Sequence, residues 1–195
     1  CCSVCKAPNV TRVSGCEDDG TATKDCPTGG GSLITVYGDL MRSDSVTPTV
    51  TVNGVSCDVV TKAEKVITCS LLPGAGANHV VQVATSECPE TVMGPTGTLS
   101  YAKPSVVSVR GCPDQVGNST RSCPAAKAAL RLNISGDNFG AANANVLVGG
   151  KTCDDVQHAG GAAAHTFVTC TLPVGPGDAM SVLVLQSNQI SPSNM

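Results

Sequence analysis

Two stretches decide the fold: VITCSLLPGAG (66–76) and FVTCTLPVGPG (167–177). They are one pattern written twice, a β-branched run ending on a cysteine and broken by Pro and Gly. Working outward, the match extends along both halves of the chain. HVVQVATS (79–86) pairs with MSVLVLQS (180–187), and VTVNGVSC (50–57) with VLVGGKTC (146–153). SLITVYGDL (32–40) pairs with LRLNISGDNF (130–139), DCP (25–27) with SCP (122–124), and PNVTRVSGC (8–16) with PSVVSVRGC (104–112). The chain is a tandem repeat.

Most blocks run five to eight residues, are rich in β-branched residues, and are separated by Gly, Pro, Asn and Asp. This predicts short antiparallel strands and one β-sandwich per repeat, an all-β fold. The pleat puts Leu130, Leu132 and Ile134 on one face, with Ile34 and Val36 as their counterparts. Arg131, Asn133 and Ser135 fall on the other.

The motifs P-x-V-x-x-V-x-GC, G-[DN] after the second long strand, V-x-V-x-G-x-x-C and V-T-C-x-L-P-x-G-x-G cover nearly the whole chain. Each unit resembles an IPT/TIG domain, the immunoglobulin-like module of plexins, growth-factor-receptor ectodomains and certain transcription factors. The resemblance implies two tandem immunoglobulin-like sandwiches. It says little of function, because the module serves in receptors, adhesins, enzymes and transcription factors. The expected divisions are 1–7, a strand or linker; 8–103, the first domain; and 104–195, the second.

Twelve cysteines in 195 residues read as a disulfide framework in an oxidising compartment. In repeat phase, Cys16 and Cys26 correspond to Cys112 and Cys123, and Cys57 and Cys69 to Cys153 and Cys170. The expected bonds are 16–26, 57–69, 112–123 and 153–170. Each closes a short loop, worth about 3 kcal/mol on the chain-entropy model. Cys1, Cys2, Cys5 and Cys88 are left over. Cys1–Cys2 would be strained, and Cys2 and Cys5 in an extended strand stand about 10 Å apart, beyond bonding reach. Either that segment bends, or some of its thiols bond between chains; Cys88 has Cys5 as its nearest candidate partner. Zinc is disfavoured, because no second C-x₂₋₄-C pair follows the N-terminal one.

The remaining composition narrows the function. Charged residues are 14% of the chain, the net charge is −3, and no basic stretch could neutralise several phosphates. No apolar run approaches the ~20 residues of a membrane span. No leader segment is evident, so the chain is read as a mature processed protein or a piece of a longer one. Sequons at Asn9, Asn118 and Asn133 point to a secreted or cell-surface glycoprotein. No catalytic motif occurs, and no cofactor or metal is expected. Glu17, Asp18 and Asp19 lack the alternation of a calcium loop and read as an exposed turn. Asp154, Asp155, His158 and His165 match no metal template and read as a solvated loop. Four aromatic residues are too few for sugar stacking to be expected.

An IPT/TIG sandwich ends on a G strand. The first unit has one near 97–101, directly before Pro104. The second reads SNQISPSNM (187–195) and lacks a counterpart. Yet Cys1, Cys2, Ser3, Val4 and Cys5 stand before Pro8 as 97–101 stand before Pro104. A neighbour's residues 1–5, with Val4 and the cysteines as apolar filling, would complete the second unit and join copies head to tail into a filament. Two alternatives stay open: an adhesion or receptor ectodomain fragment, in which residues 1–5 complete a preceding unit of the same polypeptide, and a disordered processed terminus.

Overall fold

A computed structural model describes residues 8–39, 41, 47–86, 97–124, 130–175 and 179–193. Cys1, Cys2, Cys5, Cys88 and the strand read at 1–5 lie outside the described residues. The chain divides into two compact units, the change falling between Ala102 and Lys103.

The first unit holds β1 (Asn9–Ser14), β2 (Glu17–Asp19), β3 (Ala22–Cys26), β4 (Leu33–Asp39), β5 (Pro48–Val52), β6 (Val55–Lys62), β7 (Val66–Ser70), β8 (His79–Thr85) and β9 (Thr98–Tyr101). One layer runs β1-β4-β7-β6 and the other β5-β8-β9-β3-β2. β6 joins them: Cys57 pairs with Val50 on β5, and Val59 pairs with Cys69 on β7.

The second unit holds β10 (Ser105–Arg110), β11 (Asp114–Val116), β12 (Ser119–Arg121), β13 (Arg131–Asp137), β14 (Asn145–Val148), β15 (Lys151–Thr152) and β16 (Asp154–His158). A 3₁₀ helix over Gly161–His165 follows, then β17 (Phe167–Thr171), β18 (Val182–Gln186) and β19 (Gln189–Ile190). Its sheets are β10-β13-β17-β16 and β15-β14-β18-β19, with β11-β12 a separate hairpin. β15 and β16 do the work of β6, broken at Cys153.

The repeat holds at the level of register. Val10 faces Gly38 and Val106 faces Gly136, each pair followed by a shift of one residue. The motif glycines explain why. A Cβ on Gly38 would lie 2.0 Å from the Asn9 carbonyl oxygen, and one on Gly136 1.9 Å from that of Ser105. The first strand can cross its partner closely only over a bare backbone. Just beyond, Met41 and Phe139 turn in and are fully buried.

The alternation places Ile34, Val36, Leu132 and Ile134 inside, none more than 1% exposed. Asn133 on the opposite face is exposed. Four disulfides brace these aromatic-poor cores. Cys57–Cys69 ties β6 to β7 and Cys153–Cys170 ties the break between β15 and β16 to β17, all four cysteines buried, with Cα separations of 5.7 and 5.8 Å. Cys16–Cys26 and Cys112–Cys123 clamp the small hairpins, at 5.2 and 4.9 Å.

Candidate functional site

The two units differ most beside the strand that precedes the last turn. In the first unit, β9 fills a slot between β8 and β3. It runs antiparallel to β8, with Leu99 opposite His79, and parallel to β3, with Leu99 opposite Thr23 and Tyr101 opposite Cys26. The amide of Val81 donates to the Gly97 carbonyl at 3.1 Å, and that of Ala102 to the Cys26 carbonyl at 2.8 Å. Gly97, Leu99 and Tyr101 face inward, and Leu99 is wholly buried. A Cβ on Gly97 would lie 2.4 Å from Val10 Cγ1, so the strand's first inward place sits directly on the core. The Tyr101 hydroxyl donates to the Leu72 carbonyl at 2.9 Å, and burial raises its pKa.

No described strand fills the corresponding place in the second unit. β12, the counterpart of β3, pairs only with β11 among the described residues. β18 pairs with β14 on one side. On the other it meets β19 only at Leu185 and Gln186. Ser191 then stops that pairing: its amide donates to the Val184 carbonyl, and its hydroxyl accepts the Val184 amide, both at 2.9 Å. In an antiparallel ladder alternate residues point their polar groups the same way. The N–H and C=O of Val182, the counterpart of Val81, therefore face the same edge as those of Val184, beyond the stretch that β19 and Ser191 cover. Of the segment that the sequence left without a strand, the described residues 187–193 contribute a two-residue one, β19, at the far half of this edge.

The slot's walls differ accordingly. Thr23 is 1% exposed, whereas its counterpart Thr120 is half-buried. Cys26 is wholly buried, whereas Cys123 is exposed. The place that Leu99 fills lies between them.

The glycan candidates Asn9, Asn118 and Asn133 are all exposed. Asn9 opens β1, Asn118 lies in the turn between β11 and β12, and Asn133 stands mid-strand on the outer face of β13.

The other candidates dissolve into structure. Nδ1 of His158 donates to the Ala164 carbonyl at 2.9 Å, and its Nε2 accepts the Ala144 amide at 3.1 Å, so neither nitrogen is left for a metal. Asp155 is held by Arg131 and Gln157, and the Arg131 hydrogen bond leads in lowering its pKa. Burial, then the neighbouring His158, lowers that of His165. Asp18 binds Arg12, and Glu17 and Asp19 flank Lys24. Among the described residues no group of three or more His, Cys, Asp or Glu could hold a metal ion. No helix among them is long and apolar enough to cross a membrane.

Two Greek-key-like layers with short strands, closed by disulfides, define an immunoglobulin-class β-sandwich protein. More narrowly, this cysteine-rich chain carries an IPT/TIG domain, matched over residues 21–101. No curated protein sequence matches the chain. Among solved structures it is similar to the surface glycan-binding protein PbSGBP-B from Prevotella bryantii, with TM-score 0.57 and 17% identity over 97% of this chain and 41% of that one. It is similar too to the plexin A4 extracellular region, with TM-score 0.39 and 14% identity over 89% of this chain and 13% of that one. A titin tandem of immunoglobulin domains gives TM-score 0.31 and 9% identity over 95% of this chain and 94% of that one. The chain thus spans well under half the length of the first two. The PbSGBP-B match supports the fold assignment, and the family match indicates no enzymatic family. The four disulfides suit an extracellular protein.

Proposed function

We propose that the protein is a secreted structural glycoprotein whose copies join head to tail, residues 1–5 of one entering the slot between β12 and β18 of the next. One observation carries this reading: the slot that β9 fills in the first unit has no described strand in the second, where Val182 and Cys123 are the counterparts, in repeat phase, of its wall residues Val81 and Cys26. The occupant runs antiparallel to β18 and parallel to β12, as β9 runs between β8 and β3.

The repeat phase sets its register. Pro8 matches Pro104, so Cys1, Ser3 and Cys5 take the inward places of Gly97, Leu99 and Tyr101. In the same phase Val4 takes the place of Ser100, on the outward side, so that the apolar filling in this register would come from Cys1 and Cys5. Main-chain pairing then supplies most of the affinity, at about 1 kcal/mol per hydrogen bond. A serine in the place of Leu99 forgoes roughly 2 kcal/mol of apolar burial. The joint needs a further fastening.

Glycans on Asn9, Asn118 and Asn133 would coat the exposed faces without entering the slot. Deleting residues 1–5 tests the assembly. Electron microscopy should show loss of filaments, with the first unit still folded by circular dichroism. Normal polymerisation of the truncated chain would overturn the reading and favour an ectodomain fragment whose residues 1–5 complete a preceding unit.

A further inference from the structure

We propose that the Cys112–Cys123 disulfide is an exchange site, which a strand entering the slot opens to bond itself covalently to Cys123. The proposal rests on the head-to-tail reading for its natural occupant, Cys5 of a second copy. The site itself rests on the slot.

Among the four described disulfides, one stands apart. Cys26, Cys69 and Cys170 are wholly buried, and Cys57 and Cys153 are at most 6% exposed. Cys16 is half-buried. Cys123 is exposed, and its partner Cys112 is half-buried. The equivalent bond in the first unit, Cys16–Cys26, has its Cys26 end in the core beside β9. Attack on a disulfide needs access to one sulfur. In repeat phase Cys123, as the counterpart of Cys26, stands beside the slot that has no described strand.

Register supplies the attacking group. Tyr101 stands opposite Cys26 across the parallel pair β9–β3. In repeat phase Cys5 takes the place of Tyr101, and Cys123 is the counterpart of Cys26. In that phase Cys5 arrives opposite Cys123, which stands exposed two residues beyond the end of β12. Neighbouring strands lie about 4.8 Å apart, inside the range of Cα separations that a disulfide spans.

The step balances without an oxidant. The Cys5 thiolate attacks Cys123 Sγ, the Cys112–Cys123 bond breaks, and its electron pair leaves on Cys112 Sγ as a thiolate that takes up a proton. One disulfide is exchanged for another, and the number of thiols is unchanged. Seating in the slot raises the effective concentration of the attacking sulfur. The new bond fastens a strand whose own apolar contribution is small.

The test uses the full chain with Cys5→Ser, so that no copy can exchange with another through Cys5. The probe is a synthetic peptide of residues 1–8 with Cys1→Ser and Cys2→Ser, leaving the Cys5 thiol alone. After incubation, free thiols are alkylated and the protein is mapped without reduction. The expected product is peptide bonded to Cys123, with Cys112 alkylated and the other three disulfides intact. A peptide with its cysteine moved one place, Val4→Cys with Cys5→Ser, should react at least ~10-fold more slowly. Equal reaction of the two peptides, first opening of another disulfide, or no mixed disulfide at Cys123 would each overturn the proposal. The filament reading fails separately, by the deletion of residues 1–5. If the peptide exchanges but the deletion leaves filaments intact, the exchange site stands and its natural donor is another strand.

Discussion

A methyl group at Gly38 or Gly136 has nowhere to go, because a carbonyl oxygen of the crossing strand lies 2.0 or 1.9 Å from where it would stand. Gly136→Ala should therefore cost more than about 2 kcal/mol, since backbone and not a flexible side chain must move. Urea denaturation of the full chain checks this, and an unchanged midpoint would contradict it. Gly15 and Gly111 share a second constraint: φ of +132° and +138°, with a carbonyl oxygen 2.4 Å from a would-be Cβ. Both glycine positions were legible in the sequence as repeated letters. The reason for them was not, because it lies in the approach of another strand. His158 was equally opaque. Its two hydrogen bonds to backbone groups at Ala144 and Ala164 follow no motif. His165, held below its ordinary pKa first by burial and then by His158, favours its neutral form when folded. Its contribution is present above about pH 6.5 and is lost as pH falls through its folded value. The thermal midpoint of the full chain should fall between pH 7 and pH 5, and fall less in His165→Gln. An equal fall in both would contradict the assignment.

The long strands were readable because alternation and the repeat agree. Ile34, Val36, Leu132 and Ile134 are buried where the pleat put them. The three-residue strands β2, β11 and β12 were not readable, since three residues, all but Val116 polar, carry no period. That gap mattered, because β3 and β12 form one wall of the slot, and the sequence pointed only to the other. The run HAGGAAAH, read as a loop, closes into a 3₁₀ helix over Gly161–His165. At this scale β9 is the test of what a filled slot is worth. Leu99→Ala should destabilise the first unit by about 3 kcal/mol, the usual cost of emptying a fully buried leucine site. Tyr101→Phe should cost about 1 kcal/mol, for the hydrogen bond to Leu72. Differential unfolding of the full chain, followed by amide exchange at Val81, separates the two. A Leu99→Ala chain with normal protection at Val81 would show that β9 does not hold the slot closed.

At the scale of the whole molecule, the described residues of the two sandwiches differ most at one slot, filled by β9 in the first unit and without a described strand in the second, and the proposed assembly turns on that slot. In the proposed assembly, a filled slot on the first unit and one without a described strand on the second would give a polarity, so that copies would add in one direction only. Edge groups that no described strand pairs with, such as those of Val182, are a liability in an isolated protein and an attachment point in an assembling one. Asn9, Asn118 and Asn133 carry glycan in this account, and release of N-glycans should lower the mass and convert those asparagines to aspartate. An unchanged mass would contradict it. The most direct measurement of the central claim is a density map of the assembled protein at side-chain resolution. The account predicts a strand of residues 1–5 from one copy lying between β12 and β18 of the next, parallel to the first and antiparallel to the second. A slot left bare in the assembly, or filled by the copy's own chain, would contradict it.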